Sequence, residues 1–191
     1  MPFDNSEARI VGNPDTPHGI HPGTWRVDPD GTSLQFIARH FMVSKIRGKF
    51  LRFTGDIVIV DNPLDSTVTG SADATSVTTG DEARDDHLRS PDFFDVNRWP
   101  TLGLDGRVVE ASSRGYVLRT DLTIRNVTRS VDFDLVIIGK DDTTLSVTAR
   151  AAVNRKDFNL RWNATIETGG VVVADQVDLL LSVHATRVPA P

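Results

Sequence analysis

Hydrophobic and polar residues alternate along most of the chain after residue 24. A period of two places alternate side chains on opposite faces of a β-strand, so that one face is buried and the other meets solvent. The clearest alternating runs are residues 33–40, 116–124, 131–137, 145–153 and 177–184. The pattern therefore predicts a β-rich chain whose strands each bury one face.

Turn-forming residues separate these runs. The separators are "DPDG" at 28–31, "DNP" at 61–63, "SSRG" at 112–115 and "KDD" at 140–142. This spacing predicts about eight strands joined mostly by short turns, and it leaves no room for the helical crossovers of a parallel sheet. The fold class is therefore all-β, an antiparallel sandwich or barrel. A closed sheet of about eight strands is either filled by side chains or holds one small ligand.

Several strands are long. The stretch 171–185 would extend over roughly 50 Å at about 3.3 Å per residue, unless a bend or bulge interrupts it. Long strands would give a barrel an elongated interior.

One segment departs from the strand pattern. Thr79 and Glu82 have the spacing of a capping box, which predicts a helix that begins at Thr79. Pro91 ends this helix just after Ser90, so the predicted range is about 79–89. Ala83, His87 and Leu88 are its predicted packed face, and two phenylalanines follow Pro91. We interpret the segment as a lid that covers an apolar barrel mouth.

Four acidic residues lie in the lid, and they allow two interpretations. Asp81, Glu82, Asp85 and Asp86 could perform acid–base catalysis, or they could form a solvated helix face that also satisfies the helix start. We favour the second interpretation, because capping and the helix dipole account for two of the four.

Length and composition narrow the function classes. The 191 residues suffice for one domain, and we expect residues 1–23, which are rich in Pro, Gly, Asp and His, to form an irregular arm. The net charge of −5 argues against a nucleic-acid partner, and the absence of cysteine excludes disulfides and thiolate catalysis. The chain has neither a signal-peptide pattern nor the ~18 apolar residues of a transmembrane span, so we expect a cytoplasmic protein.

Five ordered motifs carry a family resemblance. They are "RHFMVSKIRGKF", "TGDEARDDHLRSPDFFDVNRWPTL", "LTIRNVTRSV", "NRKDFNLRWN" and "ETGGVVVADQVDLLL". Together they resemble the YceI-like family of lipocalin-like, polyisoprenoid-binding proteins. The resemblance implies an extended antiparallel lipocalin-like barrel over residues 24–188, with a lumen for a polyprenyl or isoprenoid-quinone chain. It also implies a homodimer, and many similar proteins are periplasmic or secreted, unlike our expectation for this chain.

The expected binding site is a narrow apolar tube with a few polar groups at its mouth. Candidate lining residues are Phe36, Phe41, Phe50, Phe53, Phe93, Phe94, Trp99 and Phe133, and His40, His87 and Arg89 are candidate polar groups. Singly, each aromatic residue is better explained as core filling. As a set, and with the family resemblance, they favour an open lumen.

The sequence favours a binding protein over an enzyme. His40, His87 and His184 are far apart and lack metal-ligand spacing, and no nucleophile motif is present. We therefore expect no metal and no cofactor other than a bound isoprenoid lipid, which the protein sequesters or transports, with transient membrane contact compatible with that role.

Two other functions stay open. The first is an enzyme acting on an isoprenoid-like amphiphile with His40 or His87 as the acid or base. The second is a filled barrel with a structural or interaction role, in which Leu160 and Trp162 serve either pairing or the core.

Overall fold

Each of the five alternating runs lies within a β-strand. The computed structural model describes residues 19–40, 44–112, 115–164 and 173–189, and these contain eleven strands and one α-helix. The strands are β1 Gly23–Val27, β2 Ser33–His40, β3 Ser44–Phe50, β4 Phe53–Ile59, β5 Thr67–Asp73, β6 Val77–Thr78, β7 Thr101–Ser112, β8 Gly115–Ile124, β9 Val127–Lys140, β10 Thr144–Asn154 and β11 Val173–Arg187. The helix is α1, Glu82–Arg89, and short 3-10 turns lie at Pro63–Asp65, Ala74–Ser76 and Arg155–Phe158.

Eight of the strands close into a ring. Their order is β1-β4-β5-β7-β8-β9-β10-β11, and β1 pairs with β11 to complete the circle. Every pairing in the ring is antiparallel. The prediction of an antiparallel β-barrel of about eight strands with one short helix is therefore confirmed.

The last strand pairs with β10 along one edge and with two strands, β1 and β2, along the other. Residues Ala185–Arg187 of β11 pair with β1, whereas residues 177–182 pair with β2, which continues through β3 to β6. A register shift lies between Val173 and Val177. The 15-residue β11 thus has the length that the sequence predicts and the irregularity that such a strand requires.

Two separate groups of buried apolar side chains stabilise the interior. The smaller group contains Trp25, Leu145 and Ala185, and Ile20 packs against it. The larger group draws its members from β6 to β10, from the short turns at Ala74–Ser76 and Arg155–Phe158 with the residues just after the latter, and from the segment after α1; Phe94, Phe133 and Phe158 are its aromatic members. Because Ile20 belongs to the predicted arm, the described end of that arm, residues 19–22, contacts the barrel; residues 1–18 lie outside the described part.

The helix begins later than the sequence predicts. Asp81 is the N-cap, and its carboxylate accepts a hydrogen bond of 3.0 Å from the Arg84 backbone N–H. The predicted capping box at Thr79 is wrong, because the Thr79 side chain instead donates to Asp85. Gly80, with φ of +80°, makes the turn that separates Thr79 from the helix. The predicted end is confirmed, with Ser90 as C-cap directly before Pro91.

Candidate functional site

The barrel encloses a cavity of about 880 Å³. Its lining extends from Ile20 and Ile59, beside the Trp25 group, to His87 and Trp162 near the lid. Most lining residues are aliphatic or aromatic. The walls are β-strands whose backbone N–H and C=O groups are paired in the sheet, so they offer few hydrogen bonds to a ligand. The interior is therefore an apolar chamber with a small number of polar side chains.

Seven of the predicted binding residues line this cavity. They are Phe36, Phe50, Phe53, His87, Phe93, Phe94 and Phe133. The sequence thus identifies aromatic residues from five separate parts of the chain that the fold brings to one chamber. That they contact a ligand stays a prediction.

Three of these aromatic rings contact one another in a chain. The rings of Phe36 and Phe50 are 5.9 Å apart, and Phe50 meets Phe94 edge-on at 5.6 Å. Gly48 makes this arrangement possible, because a Cβ at that position would lie 2.1 Å from the Phe36 ring. The Phe36 ring therefore packs against the inner face of β3 at Gly48, and the ring contacts continue through Phe50 to the lid residue Phe94.

Two predicted binding residues lie elsewhere. Arg89 is absent from the described lining; its guanidinium donates to the backbone oxygens of Thr75 at 3.0 Å and Val77 at 2.8 Å. Trp99 is also absent from that lining, and the Arg98 guanidinium lies 5.4 Å from its ring centre. Arg89 thus fastens α1 to Thr75 and Val77, and Trp99 is half-buried beside Arg98, away from the described cavity lining.

Two further predicted residues cannot be placed at the cavity. Phe41 lies outside the described residues, and so does the side chain of His40. The backbone of His40 belongs to β2 and pairs with Ser44. Binding by Phe41 and His40 stays a prediction.

The lid is α1 together with the turn that follows it. Ala83, Arg84, His87 and Leu88 face the cavity from the helix, which includes the three predicted packed residues. After Pro91 the chain places Phe93 and Phe94 in the same wall. Both phenylalanines are buried, so they close the barrel beneath a polar exterior.

The acidic residues of the lid have structural partners. Asp81 caps α1, and Asp86 forms an ion pair of 2.9 Å with Arg89. Asp85 is buried and accepts hydrogen bonds from the Thr78 hydroxyl and from the hydroxyl and backbone N–H of Thr79. The prediction of a solvated face is therefore wrong for Asp85. None of the acidic residues at 81–86 belongs to the described lining of the cavity.

Burial and hydrogen bonding act in opposite directions on Asp85. Burial alone would raise the pKa of this carboxyl, but the hydrogen bonds from Thr79 and Thr78 stabilise the carboxylate and lower the pKa below its ordinary value. Asp85 is thus held ionised, as a fixed acceptor that joins α1 to the chain before it.

His87 lies at the lid end of the cavity. Its Nε2 is 2.9 Å from a carboxylate oxygen of Asp92, and its side chain is about a third exposed. Its ring meets Phe93 at 5.1 Å and Trp162 at 4.5 Å, both edge-on. The three rings form an aromatic mouth, by which we mean His87, Phe93 and Trp162. The sequence alone does not decide whether Trp162 serves the pairing of two copies of the chain or the barrel core.

Comparison with known proteins identifies the fold family. The family model described as the YceI-like domain matches residues 25–185. The chain belongs to the YceI-like family. A UPF0312 protein of Staphylococcus aureus is 31% identical over 156 residues, which cover 76% of this chain and 87% of that protein.

Solved structures show the same YceI-like barrel. BcnA of Burkholderia cenocepacia superposes with a TM-score of 0.72 at 20% identity, covering 84% of this chain and 99% of that one. A domain from Saccharophagus degradans, described as polyisoprenoid binding and implicated in plant cell wall breakdown, superposes with a TM-score of 0.68 at 17% identity. The alignment covers 88% of this chain and all of that domain. At these identities the likeness concerns the fold.

A buried arginine supports the mouth of the YceI-like barrel. The Arg155 guanidinium, 4% exposed, donates to the backbone oxygens of Leu160 at 2.6 Å and Trp162 at 2.8 Å, and to that of Ala174 at 2.9 Å. Burial lowers the pKa of Arg155, although the nearby Asp175 carboxylate opposes the shift. Arg155 therefore ties the Trp162 segment to β11. The sequence does not predict this role, because Arg155 shows only as a residue directly after the alternating run of β10.

The described part of the YceI-like chain contains no group of three or more His, Asp or Glu side chains arranged to hold a metal ion. Of the predicted histidines, His184 contacts Ser146 at 3.1 Å and His87 contacts Asp92. In the same part of the chain, no helix has the length and apolar character of a membrane span.

Proposed function

We propose that this protein binds a long-chain isoprenoid lipid inside its barrel and sequesters or transports it. The observation that carries the proposal is the cavity of about 880 Å³ with its largely apolar lining. Its volume lies in the upper part of the range of about 300–1,000 Å³ that is typical of small-molecule sites. An ordinary filled barrel core would leave no such space.

The chemistry of the walls matches that of an isoprenoid tail. Such a tail presents a long apolar surface and almost no hydrogen-bonding groups. Each Å² removed from water contributes about 25 cal/mol, before the cost of association is subtracted. The description of the Saccharophagus degradans domain as polyisoprenoid binding supports this ligand class.

The polar head of the ligand would lie at the lid end. His87 and Arg84 line the cavity there and are each about a third exposed. The Trp25 group, whose members are buried, lies at the opposite end. A ligand would therefore enter tail first, with its head among the side chains of α1.

Lipid extraction tests the proposal directly. The protein is purified from a bacterial host without detergent, extracted with organic solvent, and analysed by mass spectrometry beside an extract of a host protein of equal size. We expect a polyprenyl or isoprenoid-quinone species in stoichiometric excess over the control. Absence of any lipid, with a cavity that also fails to bind an added polyprenyl chain, would contradict the proposal.

An enzyme is the second candidate, and the His87–Asp92 contact favours it. A carboxylate within hydrogen-bond distance of an imidazole at a ligand site is an arrangement used in acid–base catalysis. The test is incubation of the lipid-loaded protein and of its His87→Gln variant, followed by mass analysis of the lipid. A product that forms with the original protein and not with the variant would establish catalysis. An unchanged lipid in both would contradict the enzyme candidate and leave only the binding function.

Assembly and location stay predictions. Val136 and Ile138 are exposed on the outer face of β9 and offer one surface for an apolar dimer contact. Sedimentation of the purified protein at micromolar concentration tests the expected homodimer. Fractionation of the source cell tests the expected cytoplasmic location.

A further inference from the structure

The hairpin formed by β2 and β3 has two faces of opposite character. Its inner face lines the cavity through Leu34, Phe36, Ala38, Ser44, Ile46 and Phe50. Its outer face carries Arg39, Lys45, Arg47 and Lys49, all exposed. Antiparallel pairing places Arg39 opposite Lys45 and Arg47 opposite Ile37. We call these four cations the basic face.

The basic face has no ion pair with any described residue, although the structure contains ten ion pairs between other described groups. The nearest acidic residue by register is Asp178 of β11, opposite Ile37, and its carboxylate accepts a hydrogen bond of 2.9 Å from Gln176. Like charges opposite one another destabilise a sheet. Four cations on one hairpin, none of them in an ion pair with a described residue, in a chain with net charge −5 form a surface suited to an anionic partner.

An apolar residue lies at the centre of the basic face. Ile37 points away from the cavity, since its neighbours Phe36 and Ala38 line it, yet Ile37 is only 9% exposed. The residues that flank it on the outer face include Arg39 and Arg47. Long cationic side chains can cover apolar surface with their methylene stems while their charged ends stay in water. The face therefore combines charge with an apolar base.

The basic face adjoins a part of the cavity wall that is exposed. Ser44 lines the cavity and is exposed at the turn end of the hairpin, as Val60 is elsewhere in the lining; we take the Ser44 end as the entrance. Lys45 follows it directly and points to the outer face, opposite Arg39. An anionic surface bound by these cations would therefore lie beside the entrance.

We propose that the basic face docks the protein on an anionic lipid membrane, with the cavity entrance beside the bilayer. Clusters of Lys and Arg bind the negative surface of such membranes. The choice of a membrane over another polyanion rests on the proposed function, because the proposed ligand resides in membranes. The positive charge of the face is an observation that does not depend on the proposed function. Docking would let the lipid pass between bilayer and cavity without crossing water.

Vesicle sedimentation tests the docking. The full chain is mixed with vesicles of phosphatidylcholine alone, or with roughly one-third phosphatidylglycerol, at about 0.15 M salt. We expect binding to the anionic vesicles only, with loss of binding at high salt. Equal binding to both vesicle types, or no binding to either, would overturn the proposal.

A matched pair of variants tests the location. Lys45→Glu with Arg47→Glu reverses two charges of the basic face, whereas Arg107→Glu with Arg129→Glu reverses two exposed charges on β7 and β9. The first variant should bind anionic vesicles about tenfold more weakly or worse, and the second should bind within twofold of the original protein. Equal weakening in both variants would mean that overall charge, not this face, is responsible.

Two further measurements separate the alternatives. A single-stranded oligonucleotide that binds as tightly as the vesicles, and weakens equally in the first variant, would overturn the membrane assignment. Mass spectrometry of the bound lipid in the same variants tests the proposed function separately. If the protein carries lipid but does not bind anionic vesicles, only the docking proposal is contradicted. If it binds the vesicles but never carries lipid, only the proposed function is contradicted.

Discussion

Two adjacent phenylalanines in the lid have different surroundings. Phe93 contacts His87 and Trp162, with ring centres 5.1 and 5.4 Å away, in the aromatic mouth. Phe94 belongs to the larger buried group and meets Phe50 at 5.6 Å. The sequence shows only the pair after Pro91. It predicts that both line a cavity, but it does not show that one borders the mouth while the other supports the core.

Replacing each phenylalanine with Ala should therefore separate the effect on lipid retention from the effect on the stability of the fold. Phe94→Ala should lower the free energy of unfolding by roughly 3 kcal/mol, because it removes a buried ring. Phe93→Ala should cost less stability but release bound lipid faster to acceptor vesicles, since it opens the mouth. Urea denaturation and a lipid-transfer assay measure the two effects. Unchanged lipid release in Phe93→Ala would refute the role of the mouth.

Asp85 should make the lid sensitive to acid. Its pKa is lowered in the folded protein, so the carboxylate stabilises the fold above the ordinary pKa of about 4, and this stabilisation is lost as pH falls through the lowered value. Asp85→Asn should lower the free energy of unfolding by about 1–3 kcal/mol at neutral pH and by less near pH 3.

Denaturation at the two pH values measures this difference. The control is Glu82→Gln on the exposed first turn of the same helix. Its free energy of unfolding should stay close to that of the original protein at both pH values. A destabilisation by Asp85→Asn that is equally large at acidic and neutral pH would contradict the assignment.

At the scale of elements, the lid is where sequence patterns and structure differ most. Alternation predicts the strands well, because a strand with one buried face has few ways to place its side chains. The S/T-x-x-E pattern fails at Thr79, since the pattern does not reveal that Asp85 competes for the Thr79 hydroxyl. Arg89 and Arg155 likewise bind backbone oxygens that are distant in sequence, so no local pattern indicates their partners.

The start of α1 can be tested by two neighbouring substitutions. Asp81→Ala removes the side chain that caps the helix and should lower the free energy of unfolding by about 1 kcal/mol. Glu82→Ala should change it by much less, because Glu82 is exposed in the first turn. Chemical denaturation of both variants under identical conditions compares them. A larger decrease in the free energy of unfolding for Glu82→Ala than for Asp81→Ala would contradict the Asp81 cap and favour the capping box at Thr79.

At the scale of the whole molecule, a continuous barrel wall separates an apolar inside from a charged outside. The sequence predicts the barrel and most of the aromatic lining. Alternation alone does not predict that the chamber stays open, because the same pattern would describe a filled core; the expectation of an open lumen rests on the aromatic residues as a set and on the family resemblance. The volume depends on how strands such as β11 bend and on close contacts such as that of Gly48 with Phe36, which only three-dimensional packing determines.

The central claim is that the chamber holds the lipid, and two adjacent residues of β9 test it most directly. Leu135 lines the cavity, whereas Val136 is 39% exposed on the outer surface. Native mass spectrometry of Leu135→Trp and Val136→Trp, both shown to be folded, measures the fraction that carries lipid. We expect about tenfold weaker lipid binding in Leu135→Trp, because the larger indole obstructs part of the chamber, and unchanged occupancy in Val136→Trp. Full lipid occupancy in Leu135→Trp would contradict binding inside the barrel.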